Sequence, residues 1–375
     1  MSEGRTSEGS ARHSSAPYIH EGTKQTTIFT HSSSLASLVL TVDLIDIRDL
    51  FDCLRLLPNL QILYLDIHLR DWSPCPEVTP SSVAYDAMRT LDLNVATEEL
   101  EHDLLGILFN TLSYLYPRVE NLVLKARSWP PCIPAYLKRL PALKSLCLEL
   151  ESPTTINHHT SINLPSLHAL RIDGTSPSRF ITAPNLLILT GYDVFITEGL
   201  ASLNALDLHK LVVSFRRVCD ADSDESTRYN IVLDPWAYPN LVELHLKLYG
   251  SIPRLQFSSF SQLIVIKLSS PRRVTNPIGI YLCLHFIYHP EHCPLLQELH
   301  SDRYLEWDLL FLMLERRNIG VTSAKQIHTV AFPFVPFALR SYLARLLAGE
   351  SIDQPPPSSS SSLEATREVI FDSNM

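Results

Sequence analysis

The feature that most constrains this chain is a short phrase that it writes twelve times: a leucine or equivalent, two spacers, a second leucine, one spacer and a third. The phrase begins at Leu35, Leu60, Met88, Val119, Leu143, Leu167, Leu186, Leu208, Leu241, Leu263, Leu296 and Ile327, at intervals of 19 to 33 residues. Its clean copies include "PNLQILYLDI" from Pro58, "PALKSLCLEL" from Pro141 and "PNLVELHLKL" from Pro239. Alternate side chains of a strand point to opposite faces, so the leucines share one face and the spacers the other. One such strand cannot bury its apolar face alone, and successive copies must stack. Parallel pairing needs a crossover of a dozen or more residues, which these intervals supply.

Several crossovers read as helices. "IDIRDLFDCLRLL" places Ile47, Leu50, Phe51, Leu54 and Leu57 at helical spacing, and "ELEHDLLGILFNTLSYLY" does so with Leu100, Leu104, Ile107, Leu108, Leu112 and Leu115. The recurrent proline is expected to close each helix and turn the chain into the strand. "PFALRSYLARLLAGE" gathers Leu339, Tyr342, Leu343, Leu346 and Leu347 on one face, as a cap over the last apolar layer would. The expected organisation is a disordered, Ser-rich segment over 1–33, a stacked array with its cap over 34–349, and a Pro/Ser-rich linker and tail over 350–375. An acidic loop, "CDADSDESTR" from Cys219 to Arg228, interrupts the array.

The pattern P-x-L-x-x-L-x-L, at variable spacing, resembles the leucine-rich repeats of F-box proteins and is especially similar to the divergent repeats of fungal F-box-like proteins. The resemblance covers roughly residues 34–335. It implies an α/β leucine-rich-repeat solenoid: a curved parallel sheet with helices and loops on its convex side. It also implies that the repeats recognise a substrate protein, while an N-terminal F-box binds the Skp-type adaptor of a cullin–RING ubiquitin ligase. No Leu-Pro opening and no apolar helical run precede Leu35, so the adaptor is an expected partner only if an F-box lies outside this chain.

Composition narrows the function. The net charge of −9 argues against nucleic acid and anionic membrane surfaces as partners. The seven cysteines are odd in number and form no CxxC pair, no Asn-x-Ser/Thr sequon occurs, and the N-terminus has no apolar signal region. A cytoplasmic or nuclear location is expected. The apolar run "IGIYLCLHFIY" is too short to span a membrane and reads as a core element. There is no G-x-S-x-G, P-loop, H-E-x-x-H or kinase signature, so neither catalysis nor a cofactor is expected.

Cys283, His285, His289, His292, Cys293 and His300 offer zinc-ligand chemistry. Against that, Cys293-Pro294 occupies an ordinary junction before a strand, His300 sits at an outward strand position, and no second ligand pair matches them. Structural roles are expected for all six, with a zinc-dependent enzyme as the alternative of another class. His158-His159, Asp220 to Glu225, Arg272-Arg273 and Arg316-Arg317 read as solvated surface.

What remains is the ribbon of spacers. The expected partner-binding face, concave in a solenoid, comprises Tyr64, Asp66, Asp92, Asn94, Lys125, Glu149, Arg171, Asp173, His245, Lys247, Lys267, His300 and Asp302. Its mixed charge suits a protein or peptide. The role so reached is non-catalytic protein recognition, with a repeat scaffold or inhibitor unconnected with ubiquitin as the alternative.

Overall fold

The computed structural model describes residues 35–44, 47–69, 84–96, 102–126, 132–150, 162–174, 181–192, 205–215, 238–248, 257, 260–269, 277–302, 305–320 and 323–351. The segment 1–33, the acidic loop 219–228, His158-His159, Arg272-Arg273 and the tail from 352 onward lie outside the described residues.

Each copy of the phrase becomes one strand of a single parallel sheet of twelve strands, ordered as in the chain. These are β1 (Ser37–Leu44), β2 (Ile62–Leu69), β3 (Thr90–Ala96), β4 (Asn121–Ala126), β5 (Ser145–Leu150), β7 (Ala169–Gly174), β9 (Ile188–Tyr192), β10 (Lys210–Phe215), β11 (Glu243–Leu248), β12 (Val265–Ser269), β13 (Glu298–Ser301) and β14 (Thr329–Ala331). Two short strands, β6 (Ile162–Asn163) and β8 (Ile181–Thr182), pair separately in the crossovers on either side of β7. The architecture is α/β and solenoid-like: neighbours in sequence are neighbours in space.

The register keeps like with like. Leu63, Leu91, Leu122, Leu146, Leu170, Leu189, Leu211, Leu244 and Ile266 stand abreast and are all buried. A second buried row holds Leu65, Leu93, Leu124, Leu148 and Ile172, passes through Gly191, and resumes at Val213, Leu246 and Leu268. The opening residues of the phrase, from Leu60 through Met88 and Leu241 to Ile327, form a third.

The proline does not close a helix, as the sequence suggested. It takes the second place of a turn, where a fixed φ is favourable. Leu60 N–H returns to Leu57 O across Pro58, Leu143 to Leu140 across Pro141, and Leu241 to Tyr238 across Pro239. The asparagine that sometimes follows links layers: Asn185 Nδ2 donates to Pro165 O at 2.7 Å and Asn240 Nδ2 to Leu206 O at 3.1 Å. Just past the turn, two consecutive N–H groups of each layer donate to a single carbonyl of the layer before, and the first of each pair runs through the stack. Gln61 N–H donates to Ala36 O, Arg89 to Gln61, Glu120 to Arg89, and so on to His328 on Gln297.

Among the described residues, helices occupy these crossovers: α1 (Ile47–Arg55), α2 (His102–Leu115), α3 (Ile133–Lys138), α4 (Pro277–Tyr288) and α5 (Trp307–Leu314). α1 buries Leu50, Phe51 and Leu54, and α2 buries Leu108, Leu112 and Leu115, as their spacing predicts. The apolar run at Ile278 is the body of α4, with Leu282, Cys283 and Phe286 buried. No helix among the described residues is long and apolar enough to cross a membrane. Among the described residues, Cys132, Cys147, Cys283 and Cys293 are free thiols.

At the C-terminal end the structure corrects one expectation. Arg316-Arg317 is not a solvated pair. α5 widens into a π-turn over Glu315–Ile319, which brings the consecutive residues Arg317 and Asn318 both inward. Arg317 is 1% exposed. Its Nε donates to Lys325 O (3.1 Å), Nη1 to Pro290 O (2.7 Å) and His292 O (2.9 Å), and Nη2 to Cys293 O (2.7 Å) and Leu296 O (3.3 Å). Burial lowers the guanidinium pKa to about 10. Asn318 Nδ2 donates to Ile327 O and Leu346 O, and its Oδ1 accepts from Ile327 N–H. The last helix, α6 (Phe337–Leu347), buries Leu339, Leu343 and Leu346 and half-buries Tyr342 and Leu347, the face expected of a cap. It ends at Gly349, whose φ of 72° lets Gly349 N–H reach Leu346 O and Glu350 N–H reach Arg345 O.

Candidate functional site

The spacers of the phrase follow the same register on the opposite face. One row runs Tyr64, Asp92, Val123, Cys147, Arg171 and Thr190, then Val212, His245, Lys267 and His300. The next runs Asp66, Asn94, Lys125, Glu149 and Asp173, then Ser214, Lys247 and Ser269. Asp302 follows β13, its N–H donating to Leu268 O at 3.1 Å. Twelve of the thirteen predicted residues thus lie on one sheet face, in two adjacent rows, and Asp302 stands just past the end of β13.

Side chains pair across this face, both between neighbouring strands and along one strand. Asn94 Nδ2 donates to Asp66 at 3.0 Å. Lys125 Nζ lies 3.7 Å from Glu149. Arg171 Nε donates to Asp173 at 2.7 Å, which raises the Arg171 pKa, chiefly through that bond. Tyr64 is 42% exposed. Burial raises the Asp92 carboxyl above its usual value, Lys125 opposes this and Glu149 adds to it. Burial pushes the half-buried Cys147 thiol up to about 12. Val212 and Ser214, outward by register, are buried.

A third outward row, two residues before the first, is not apparent from the leucines alone. It contains Lys210, Glu243 and Glu298. Glu243 Oε1 lies 2.8 Å from Lys267 Nζ and 3.1 Å from Lys210 Nζ, one carboxylate between two strands' lysines. Burial works against the Glu243 charge, but the two lysines, Lys267 and Lys210, prevail and lower its pKa. His300 Nε2 lies 3.0 Å from Glu298. The face is therefore divided by charge. Asp66, Asp92, Glu149 and Asp173 outnumber Lys125 and Arg171 on β2–β7, whereas Lys210, Lys247 and Lys267 outnumber Glu243 on β10–β12.

His245 Nε2 lies 2.7 Å from Ser269 Oγ, a contact that in hydrolases joins a base to its nucleophile. A hydrolase also needs a group to orient the histidine. The carboxylate nearest in the chain, Glu243, is taken up by Lys210 and Lys267. Burial, reinforced by Lys247 and Lys267, holds the His245 pKa below its usual value.

The six residues with zinc-ligand chemistry separate into groups. Cys283 and Cys293 are buried, and burial pushes each thiol up to about 12. Cys293 adopts a left-handed φ of 47° at its turn and donates Sγ–H to Phe257 O at 3.2 Å. His300 stays on the sheet face with Glu298. His285, His289 and His292 come together at the end of α4, around Glu291.

No protein-family model matches the chain, and no curated protein is significantly similar to it.

Proposed function

We propose that this chain is a non-catalytic protein-recognition module, with leucine-rich repeats like those of the substrate-binding region of an F-box subunit of a cullin–RING ubiquitin ligase. The observation that carries the reading is the register. Twelve copies of one phrase place polar spacers from strands far apart in sequence on one continuous sheet face. Stacked-repeat proteins commonly use such extended faces to bind other proteins. The mixed charge, acidic towards β2–β7 and basic towards β10–β12, suits a protein partner with the opposite distribution and disfavours a polyanion. Engagement of a Skp-type adaptor requires an F-box outside this chain.

The test is affinity purification of the C-terminally tagged protein from its native cells, beside the same bait carrying Arg171→Ala and Lys267→Ala. Both residues lie on the face, and neither substitution should change stability by more than about 0.5 kcal/mol. Partners that the wild type retains and the variant loses would support recognition by this face. Identical partners on both baits would refute it. A Skp-type adaptor and cullin among the retained proteins would establish the ligase connection. A face-dependent partner without them would favour a scaffold or inhibitor.

A further inference from the structure

The end of α4 carries chemistry that the recognition face does not use. The sequence "HFIYHPEH" places His285, His289, Glu291 and His292 within one helical turn and the tight turn after it. Glu291 Oε1 lies 3.8 Å from His289 Nδ1 and 3.7 Å from His292 Nε2. The three candidate donor atoms all lie within 4.8 Å of one another. Zinc bonds of 2.0–2.2 Å in a tetrahedral site put neighbouring donors on the order of 3.3 Å apart. His289 and Glu291, 51% and 54% exposed, have room to turn, and the His289 ring, stacked 4.7 Å from that of His292, must tilt for both nitrogens to face one ion.

Two features hold the group in place. His285 Nε2 lies 3.0 Å from His292 Nδ1. With His292 Nδ1–H donating to His285, the proton is kept off Nε2, which then presents its lone pair towards Glu291. A ligating histidine ordinarily has such a partner on its other nitrogen. Behind the loop, Arg317 binds the carbonyls of Pro290 at 2.7 Å, His292 at 2.9 Å and Cys293 at 2.7 Å. The backbone carrying the donors is therefore anchored from within the core.

We propose that His289, Glu291 and His292 bind one divalent transition-metal ion of the zinc class, with His285 as the positioning residue behind His292. Two imidazoles and a carboxylate suit zinc rather than magnesium or calcium, which prefer all-oxygen sites. Three protein donors leave one position for water or for a donor from another molecule. The site is independent of the recognition reading, because it stands on a crossover and shares no residue with the sheet face.

The test uses the full chain, stripped with a chelator, dialysed and titrated with zinc chloride by calorimetry, with the visible spectrum of cobalt as a second readout. Expected are one equivalent of zinc and tetrahedral cobalt bands. His289→Ala with His292→Ala should weaken that binding at least about 100-fold, and His285→Phe about 10–100-fold while keeping an aromatic ring against Phe257 and Phe286. Far-UV circular dichroism checks each fold. If the double variant does not fold, Glu291→Gln, a change at an exposed side chain, decides in its place and should weaken binding measurably. A wild type that takes up no zinc overturns the proposal. So does zinc held with unchanged affinity by the folded variants, which would place it at other cysteines or histidines.

Discussion

Replacing Arg317 with methionine keeps much of the side chain's bulk and removes its charge and its donors. Five carbonyls lose a partner at once: Pro290, His292, Cys293 and Leu296 before β13, and Lys325 before β14. Hydrogen bonds from a charged donor contribute about 1.5–3 kcal/mol each, and a buried acceptor left without a partner costs about 1–3 kcal/mol. Two effects reduce the total. Burying the guanidinium costs several kcal/mol, which the variant recovers, and Cys293 O keeps a bond from Leu296 N–H. The net loss should be about 3–5 kcal/mol, several buried acceptors left without a partner at about 1–3 kcal/mol each, less the recovered desolvation. In a stacked array this loss should be local. Hydrogen exchange read by mass spectrometry should quicken in α5, β14 and α6 and change little in β2–β5. Equilibrium urea unfolding should show an early transition with reduced amplitude. A loss below about 1 kcal/mol, or faster exchange spread evenly over all the strands, would refute the reasoning.

Leu244→Ala, at a fully buried position between Leu211 and Ile266, should cost about 2–5 kcal/mol in chemical denaturation, whereas under 1 kcal/mol would mean the strand register is wrong. Gly349→Ala should destabilise the cap by about 1 kcal/mol or more, because φ is positive and a Cβ would meet Gln326 Nε2 at 2.6 Å; an unchanged melting temperature would contradict the cap geometry. The pH response should follow His245, whose folded pKa lies below the ordinary imidazole value of 6.5 through burial, with Lys247, Lys267 and Lys210 opposing its protonation and Glu243 favouring it. The unfolded chain then binds a proton that the folded face resists, so this stability is complete above the unfolded pKa and is lost as pH falls through the folded one. His245→Gln should flatten part of the decline in stability from roughly pH 7 to pH 5, and an unaltered slope would count against it.

The strands could be read from the sequence because period-two alternation is a local property. Leu244 and Leu246 must face the core whatever the crossovers do. The two spacer rows follow from the same alternation, and for that reason Tyr64, Arg171 and His300 are found together. The third row, with Lys210 and Glu243, is the second of the two spacers between the first and second leucines, where the strict alternation of the later positions has not yet begun. Arg317 was hidden for a different reason. Beside Arg316 it reads as surface charge, and only the π-turn, which no simple periodicity announces, rotates it inward. Glu291 is an ordinary exposed acid until the turn brings it between two imidazoles.

The turn that opens each strand separates what can vary from what cannot. Crossovers of different length all return the chain to the sheet at the same height, because a pair of main-chain bonds to one carbonyl per layer fixes where each strand begins. Each outward position therefore has an address given by strand and row, and changing its occupant leaves every other address where it was. Such a surface can be rewritten one residue at a time while its supporting framework stays untouched.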